Sequence, residues 1–283
     1  MNITIENTTL SATINTKGAE LISLKNKTGK EFIWQGNPAF WGKHSPVLFP
    51  IVGTLKNDTY IYNGKSYTLS RHGFARDINF KLITQQQDKV IFSLQSDNQT
   101  IKNYPFNFEL QINYTLNQNK ITITYTIINN SDVTMPFSIG AHPAFALSNE
   151  FENYSLQFEH TEKLQRYPLQ NDLITSKSIP VPMNKNQLPL DYLLFENDAL
   201  IFKSLSSKRI TLLENNHPIL HFSFQDFPNF GIWTKNKAPF ICLEPWLGYS
   251  DTIDTNGNIL IKEGIQLLEP KKRFDCSFSI EIA

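Results

Sequence analysis

The sequence has 283 residues, a hydrophobic fraction of 40% and a formal net charge of zero, and it includes 21 phenylalanines. This content is sufficient to bury a sizeable core, and all-β sandwiches reach such a length as one domain. The balanced charge offers no basic surface to nucleic acid, and no apolar run reaches the roughly 18 residues of a membrane helix, so neither partner is expected.

The first residues, 1–6, contain neither a basic nor an apolar segment, so we expect no signal peptide and a cytoplasmic protein. The two cysteines, Cys242 and Cys276, form no spaced cluster. They predict neither a disulfide framework nor a zinc site.

The dominant pattern along the chain is an alternation of apolar and polar residues with period two, rich in β-branched and aromatic side chains. The clearest run is 121–128. Four similar runs lie at 90–94, 108–116, 219–224 and 274–282. Such alternation predicts strands with one face in a core.

Turn-forming residues separate these runs. Asn63-Gly64 predicts a tight hairpin, and 129–132 predicts a looser turn. Residues 99–104 predict a turn or two of helix at most, and 180–189 predict a connecting loop. Because no linker or internal repeat divides the chain, we predict one all-β domain over 1–283, built as a sandwich of antiparallel strands with very little helix.

Two of the five arginines, Arg71 and Arg76, lie close together on either side of residues 72–75. Arginine is favoured where a planar fork of donors must meet oxygen atoms in fixed geometry. The segment is therefore a candidate for substrate binding, with an ordinary charged surface hairpin as the alternative.

His142 stands among small and apolar residues, in 139–145, where a strand is predicted to end. A partly buried imidazole in such a position suits a proton donor or acceptor near neutral pH. A core histidine that hydrogen-bonds to a carbonyl is the alternative.

Glu244 lies in the otherwise apolar segment 240–251, which also contains Trp246 and Tyr249. Burial tends to raise the pKa of a carboxyl group toward the range of a general base. The aromatic neighbours offer flat apolar faces to sugar C–H groups. A glutamate on an edge strand, facing solvent, is the alternative.

In these segments the sequence resembles the aldose 1-epimerase family, also called galactose mutarotase-like, and within it the LacX-like branch. The resemblance covers nearly the whole chain in order, and its most specific parts are the strings Arg-His-Gly-Phe-Ala-Arg at 71–76 and Glu-Pro-Trp at 244–246. It implies a β-supersandwich with a sugar cleft on one concave face.

The resemblance also implies the roles of individual residues. His142 and Glu244 match the catalytic pair. The substrate-binding positions are Arg71, His72, Arg76, Asp198 and Trp246, with Asp191 as an alternative to Asp198. Lys56 stands near an arginine of galactose mutarotases, and it keeps the charge without the bidentate fork.

The implied activity is interconversion of the α and β anomers of an aldohexose by acid–base ring opening, without a metal or an organic cofactor. Three alternatives stay open: a hexose-6-phosphate mutarotase that uses the two arginines for phosphate, a non-catalytic sugar-binding protein, and a glycoside hydrolase that pairs Glu244 with Asp251 or Asp254. The expected partner is a small sugar, and the protein is expected to be a monomer or a homodimer.

Overall fold

The computed structural model describes residues 1–283. Strands hold 48% of the residues and helices 7%, which confirms the all-β prediction. No helix is long and apolar enough to cross a membrane.

The 26 strands follow in chain order: β1 Asn2–Glu6, β2 Leu10–Asn15, β3 Glu20–Asn26, β4 Val47–Leu48, β5 Thr59–Tyr62, β6 Lys65–Thr68, β7 Lys81–Gln85, β8 Lys89–Gln95, β9 Phe108–Asn117, β10 Lys120–Asn129, β11 Met135–Phe137, β12 Ile139–Ala141, β13 Ala144–Ala146, β14 Tyr154–Phe158, β15 Gln165–Arg166, β16 Leu169–Gln170, β17 Leu173–Ile174, β18 Ile179–Pro180, β19 Gln187–Pro189, β20 Leu200–Phe202, β21 Arg209–Glu214, β22 His217–Ser223, β23 Asn229–Trp233, β24 Phe240–Leu247, β25 Gln266–Leu268 and β26 Arg273–Ile282.

The single α-helix, α1, spans Thr100–Asn103. Five 3₁₀ turns lie at Lys56–Asp58, Ala75–Asp77, Phe151–Asn153, Tyr192–Phe195 and Ile259–Ile261. The five alternating runs all form strands, and Asn63-Gly64 joins β5 to β6 as predicted. The loop predicted at 180–189 is shorter in the structure. Its first residue belongs to β18, and its last three residues, 187–189, form β19.

The largest sheet has nine strands, in the order β19-β14-β21-β22-β26-β10-β9-β8-β7. At its centre β9, β10 and β26 pair antiparallel over long registers, and all three strands are ten residues long. Their alternate residues are buried, as the period-two pattern requires.

A second sheet carries the chemistry, with β20, β23, β24, β12 and β4 in that order and β13 pairing with β24 beside β12. Its central strand β24 is buried at all eight positions. Residues Ile241, Leu243 and Leu247 belong to the main core of 67 residues, whereas Cys242 and Trp246 pack on the opposite face. The main core fills the space between the two large sheets, where Phe145 of β13 meets Phe222 of β22 at 5.9 Å.

Candidate active site

The register of the second sheet brings His142 and Glu244 together. Pairing of Gly140 with Trp246 and of Ala144 with Cys242 follows one uninterrupted antiparallel register. His142 lies midway between those pairs, so it faces Glu244 directly across the strands on the same side of the sheet. The glutamate is thus central in the sheet, and the edge-strand alternative is wrong.

The two side chains are in contact. Nε2 of His142 lies 3.3 Å from Oε2 of Glu244, and their side chains are 11% and 1% exposed. The contact is outside hydrogen-bond geometry, so the buried Oε2 has no hydrogen-bond partner. A buried acceptor of this kind is costly to leave unpaired, and it is available to a ligand hydroxyl.

Burial governs the protonation of this pair. Burial, together with the weaker effect of the charges of Arg71 and Arg76, lowers the pKa of His142 from 6.5 to about 3. Burial raises the pKa of Glu244 well above 4.5, although the positive charge of Arg71 acts to lower it. Burial therefore favours the neutral form of each group, in which the pair holds one proton and that proton is on Glu244.

Cys242 is a third polar group on this face, two residues before Glu244. One ligand atom from each of His142, Cys242 and Glu244 lies within 4.8 Å of the others, and these ligand types are ones that zinc accepts. The sequence did not indicate this cluster. Burial raises the pKa of the Cys242 thiol, so a metal ion would have to displace protons from both the thiol and the carboxyl group.

His72 is the second histidine of the cavity, and its backbone has a φ of +68°, a region that non-glycine residues seldom adopt. Its Nδ1 accepts a hydrogen bond of 3.0 Å from the backbone N–H of Gly53. Burial lowers the pKa of His72, which favours the neutral ring, and the Nε of Arg71 lies 3.4 Å from its Nε2. The side chain is therefore held between the backbone of Gly53 and Arg71, with its ring centroid 6.0 Å from that of His142.

Carboxylates surround the guanidinium of Arg71. Its Nη1 lies 3.1 Å from Asp172 and its Nη2 lies 3.8 Å from Asp198. Arg76 donates a hydrogen bond of 2.7 Å to the carbonyl of Arg71, and its buried Nε has no hydrogen-bond partner. Both arginines and Asp198 line the cavity.

Two of the predicted residues lie elsewhere. Asp191 caps the 3₁₀ turn at Tyr192–Phe195 by accepting from the N–H of Leu193, and it does not line the cavity. Lys56, predicted as a substrate-binding residue, does not line the cavity either. Its ammonium group donates a hydrogen bond of 2.7 Å to the carbonyl of Ile253, which holds it away from the cavity.

A buried ion pair supports the wall behind Glu244. Lys262 lies 3.3 Å from Asp251, and both side chains are 3% exposed. Asp251 also accepts a hydrogen bond from the backbone N–H of Lys56. The segment after β24 is thereby fastened to residues 53–56, which orient His72. Asp251 is thus engaged in a structural ion pair and does not line the cavity. The second carboxylate of a glycoside hydrolase would have to face the substrate.

Aromatic side chains form the remaining walls. Trp41 stacks on His142 with ring centroids 4.7 Å apart, and Trp233 meets the same imidazole edge-on at 5.7 Å. Trp246 lies across Gly140 and Gly231, where an added Cβ would approach the indole to 2.6 Å. The sequence indicated Trp246 alone, since Trp41 and Trp233 belong to no recognisable motif.

The cavity that these groups line has a volume of about 770 Å³. Its ionisable lining residues of either sign are Arg71, Arg76 and Lys235 against Glu196, Asp198 and Glu244, and burial favours the neutral form of Glu244. Of the predicted residues it brings together His142, Glu244, Arg71, His72, Arg76, Asp198 and Trp246. Such a mixture of aromatic faces, fixed donors and one acid–base pair suits a small polar ligand.

Comparison with known proteins agrees with this picture. The chain is 37% identical to the chromosomal LacX protein of Lactococcus lactis over an alignment 295 positions long, which covers 97% of this chain and 98% of the relative. The galactose mutarotase related enzyme of Lactobacillus acidophilus superposes with a TM-score of 0.94 at 35% identity, over 100% of this chain and 97% of that one.

A galactose mutarotase-like protein of Lactobacillus casei superposes with a TM-score of 0.96 at 32% identity, and each chain is covered completely. The family model described as Aldose 1-epimerase matches residues 1–263. The chain therefore belongs to the aldose 1-epimerase family of isomerases.

Proposed function

We propose that this protein interconverts the α and β anomers of an unphosphorylated aldose, with His142 and Glu244 as its acid–base pair and without a cofactor. The observation that carries the proposal is the contact of 3.3 Å between Nε2 and Oε2 at the buried end of the cavity. Ring opening requires a proton to leave the C1 hydroxyl and another to reach the ring oxygen. These two oxygens share one carbon, so the groups that serve them must also be neighbours.

The reaction requires the pair to hold one proton, and burial favours a pair with one proton. In the reactive form of the pair this proton has moved from Glu244 to His142. Glu244, as the carboxylate, then accepts the C1 hydroxyl proton while protonated His142 donates to the ring oxygen. The bond from C1 to the ring oxygen breaks, C1 becomes an aldehyde, and rotation about C1–C2 presents its other face. Reclosure reverses both proton transfers and restores the pair, so no proton is gained or lost in a turnover.

The surrounding residues support binding of a sugar ring. Asp198 offers carboxylate oxygens and the guanidinium of Arg76 offers donors, beside the buried imidazole of His72. Trp246 and Trp233 offer apolar faces for C–H groups. None of these steps calls for a bound metal ion.

The charges of the cavity favour a neutral sugar over a sugar phosphate. A phosphate is best held by an arginine fork that is free to bind it in a bidentate manner. The fork of Arg71 already faces Asp172 and Asp198, and Arg76 is engaged with the carbonyl of Arg71. A phosphate would have to displace these partners.

Polarimetry tests the proposal on freshly dissolved α-glucose, α-galactose and α-glucose-6-phosphate. We expect acceleration with the first two sugars and a much smaller effect on the phosphate. Glu244→Gln and His142→Asn should each reduce kcat by about a hundredfold or more, since proton transfer is their task. Saturable sugar binding with an unchanged time course of optical rotation would instead identify a non-catalytic binding protein.

A further inference from the structure

Three side chains with metal-binding atoms meet at the buried end of the cavity: His142, Cys242 and Glu244. One ligand atom from each lies within 4.8 Å of the other two. His142 and Glu244 line the cavity, whereas Cys242 is fully buried and does not line it. The proposed reaction uses the imidazole and the carboxyl group, and it gives the thiol no part.

The paired strands hold these three groups in place. Cys242 and Glu244 are two residues apart in β24, so their side chains extend from the same face of the sheet. His142 faces Glu244 from the short link between β12 and β13, both of which pair with β24. Because all three residues lie in or directly between paired strands, the set is positioned before a ligand arrives.

The distances match the geometry of a tetrahedral zinc ion. Zinc binds an imidazole nitrogen at about 2.0–2.1 Å and a carboxylate oxygen at about 2.0–2.2 Å, so these two donor atoms lie about 3.4 Å apart. The observed distance from Nε2 of His142 to Oε2 of Glu244 is 3.3 Å. A thiolate sulfur bound to the same ion lies about 3.6 Å from each of those atoms, so the sulfur of Cys242 has to move by no more than about 1.2 Å.

An unpaired acceptor points to a ligand at this place. Oε2 of Glu244 has no hydrogen-bond partner, and its side chain is 1% exposed. A cation would give this oxygen a partner. A divalent cation bound to one carboxylate, one thiolate and one neutral imidazole forms an assembly with no net charge, which removes the penalty of burying each charge alone. The protons of the thiol and the carboxyl group pass to solvent as the cation binds.

The donor set selects the class of cation. Thiolate and imidazole ligands favour zinc and similar thiophilic cations, whereas magnesium and calcium favour sets of about six or more oxygen ligands. With three ligands from the protein, the fourth position of a tetrahedral ion is left to a molecule from the cavity, such as water. Nδ1 of His142 has no hydrogen-bond partner, so the site lacks the outer contact that orients most metal-binding imidazoles. We therefore expect micromolar affinity, weaker than at a structural zinc site with four protein ligands.

We propose that His142, Cys242 and Glu244 form a binding site for zinc or a similarly thiophilic divalent cation, and that zinc bound there reversibly inhibits the enzyme. The inhibition rests on the proposed function, because zinc occupies the Nε2 lone pair and the carboxylate through which both protons move. Binding itself depends only on the three donors. The cation is thus an inhibitor at this site and not a cofactor.

Isothermal titration calorimetry with zinc chloride tests the site on the full chain, without a histidine tag. We expect one zinc ion per chain with a Kd of about 10 μM or lower, and no binding of magnesium chloride. Cys242→Ala removes one of three ligands and should weaken zinc binding by about tenfold or more. Cys276→Ala, at the other buried cysteine, which lies in β26, is the matched control and should stay within about twofold of wild type.

Two further measurements make the result independent of how well the alanine variant folds. Cys242→Ser keeps the size of the side chain and replaces the thiol by a hydroxyl that does not ionise, so it should weaken zinc binding by a similar factor. Cobalt(II) bound to the wild type should show the near-ultraviolet charge-transfer absorption of a thiolate ligand. This absorption should be lost in both Cys242 variants and kept in Cys276→Ala.

Zinc that does not bind, or that binds with the same affinity to wild type and to both Cys242 variants, would overturn the site. In polarimetry, zinc at ten times its Kd should slow mutarotation by about tenfold, and EDTA should restore the rate. An active protein that keeps its full rate with zinc bound at this site would overturn the inhibition. A wild-type protein that accelerates the mutarotation of no sugar contradicts the proposed function instead, while calorimetry and cobalt absorption still decide whether the three residues bind the cation.

Discussion

The indole of Trp41 lies stacked on the imidazole of His142, with ring centroids 4.7 Å apart and 29° between the ring planes. Trp233 and His72 meet the same imidazole edge-on, at 5.7 Å and 6.0 Å. The imidazole is thus held among three rings with its Nε2 toward Glu244. This enclosure limits the access of water to the pair and fixes the direction of the imidazole.

Removal of the stacked ring should therefore impair catalysis more than folding. We expect Trp41→Ala to lower kcat by about tenfold to a hundredfold, because a small misplacement of a reacting group carries a penalty of that order. Trp41→Phe keeps an aromatic face and should stay within about threefold of wild type. Polarimetry measures both, and an alanine variant as active as the phenylalanine variant would contradict the role of the stack.

The shared proton predicts a broad pH profile. Burial lowers the pKa of His142 to about 3 and raises the pKa of Glu244 well above 4.5. The pair gains a second proton when His142 is protonated, which its lowered pKa confines to low pH, and it loses its last proton when Glu244 ionises, above the ordinary value of a glutamate. We expect the acid limb of kcat/KM near pH 3 and the alkaline limb well above pH 4.5. An acid limb above pH 4.5 would contradict the lowered pKa of His142.

The buried carboxyl group should also reduce stability at neutral pH. Between 4.5 and its raised pKa, Glu244 keeps a proton in the folded state that the unfolded state releases, so stability falls as pH rises through that window. Glu244→Gln removes this dependence. We expect Tm to rise by about 2 °C or more at pH 8 and by less at pH 5, since each kcal/mol corresponds to roughly 2–4 °C in a chain of this size.

Differential scanning calorimetry at the two pH values makes this measurement. Glu150→Gln, at an exposed glutamate, serves as the control and should leave Tm unchanged at both. A glutamine variant of Glu244 that is less stable than wild type at pH 8 would show that the carboxylate is favourably paired, contrary to the absence of a hydrogen-bond partner at its Oε2.

Sequence pattern predicted the strands and singled out His142 and Glu244, the proposed acid–base pair, but it did not predict the contact between them. Alternation in 121–128 is local and sufficient to identify a strand. The pairing of His142 with Glu244 depends on β12 and β13 lying beside β24, across a separation of about a hundred residues that periodicity does not encode. Trp41 and Trp233 were missed for the same reason, because each reaches the imidazole from a distant segment.

The position of Lys56 shows a second limit. The resemblance to galactose mutarotases suggested that Lys56 binds the sugar. In the structure its side chain donates a hydrogen bond to the carbonyl of Ile253, which directs it away from the cavity. We therefore expect Lys56→Met to leave KM within about twofold of wild type, and Arg76→Lys, which loses the planar fork inside the cavity, to raise KM by about fivefold or more. Steady-state polarimetry compares the two, and a larger effect at Lys56 would reverse this assignment.

The ion pair of Lys262 with Asp251 provides a test of the wall behind Glu244. Lys262→Met leaves a buried carboxylate without its partner charge, and breaking a buried pair on one side costs about 3–5 kcal/mol of unfolding free energy. Because Asp251 also holds the backbone of Lys56, near the segment that orients His72, sugar affinity should weaken along with stability. Urea denaturation and calorimetry measure the two effects.

Combining Lys262→Met with Asp251→Asn removes the unpaired charge and should recover part of the stability. If the double variant is no more stable than the single one, the loss of stability arises from packing around Lys262 and not from the buried charge.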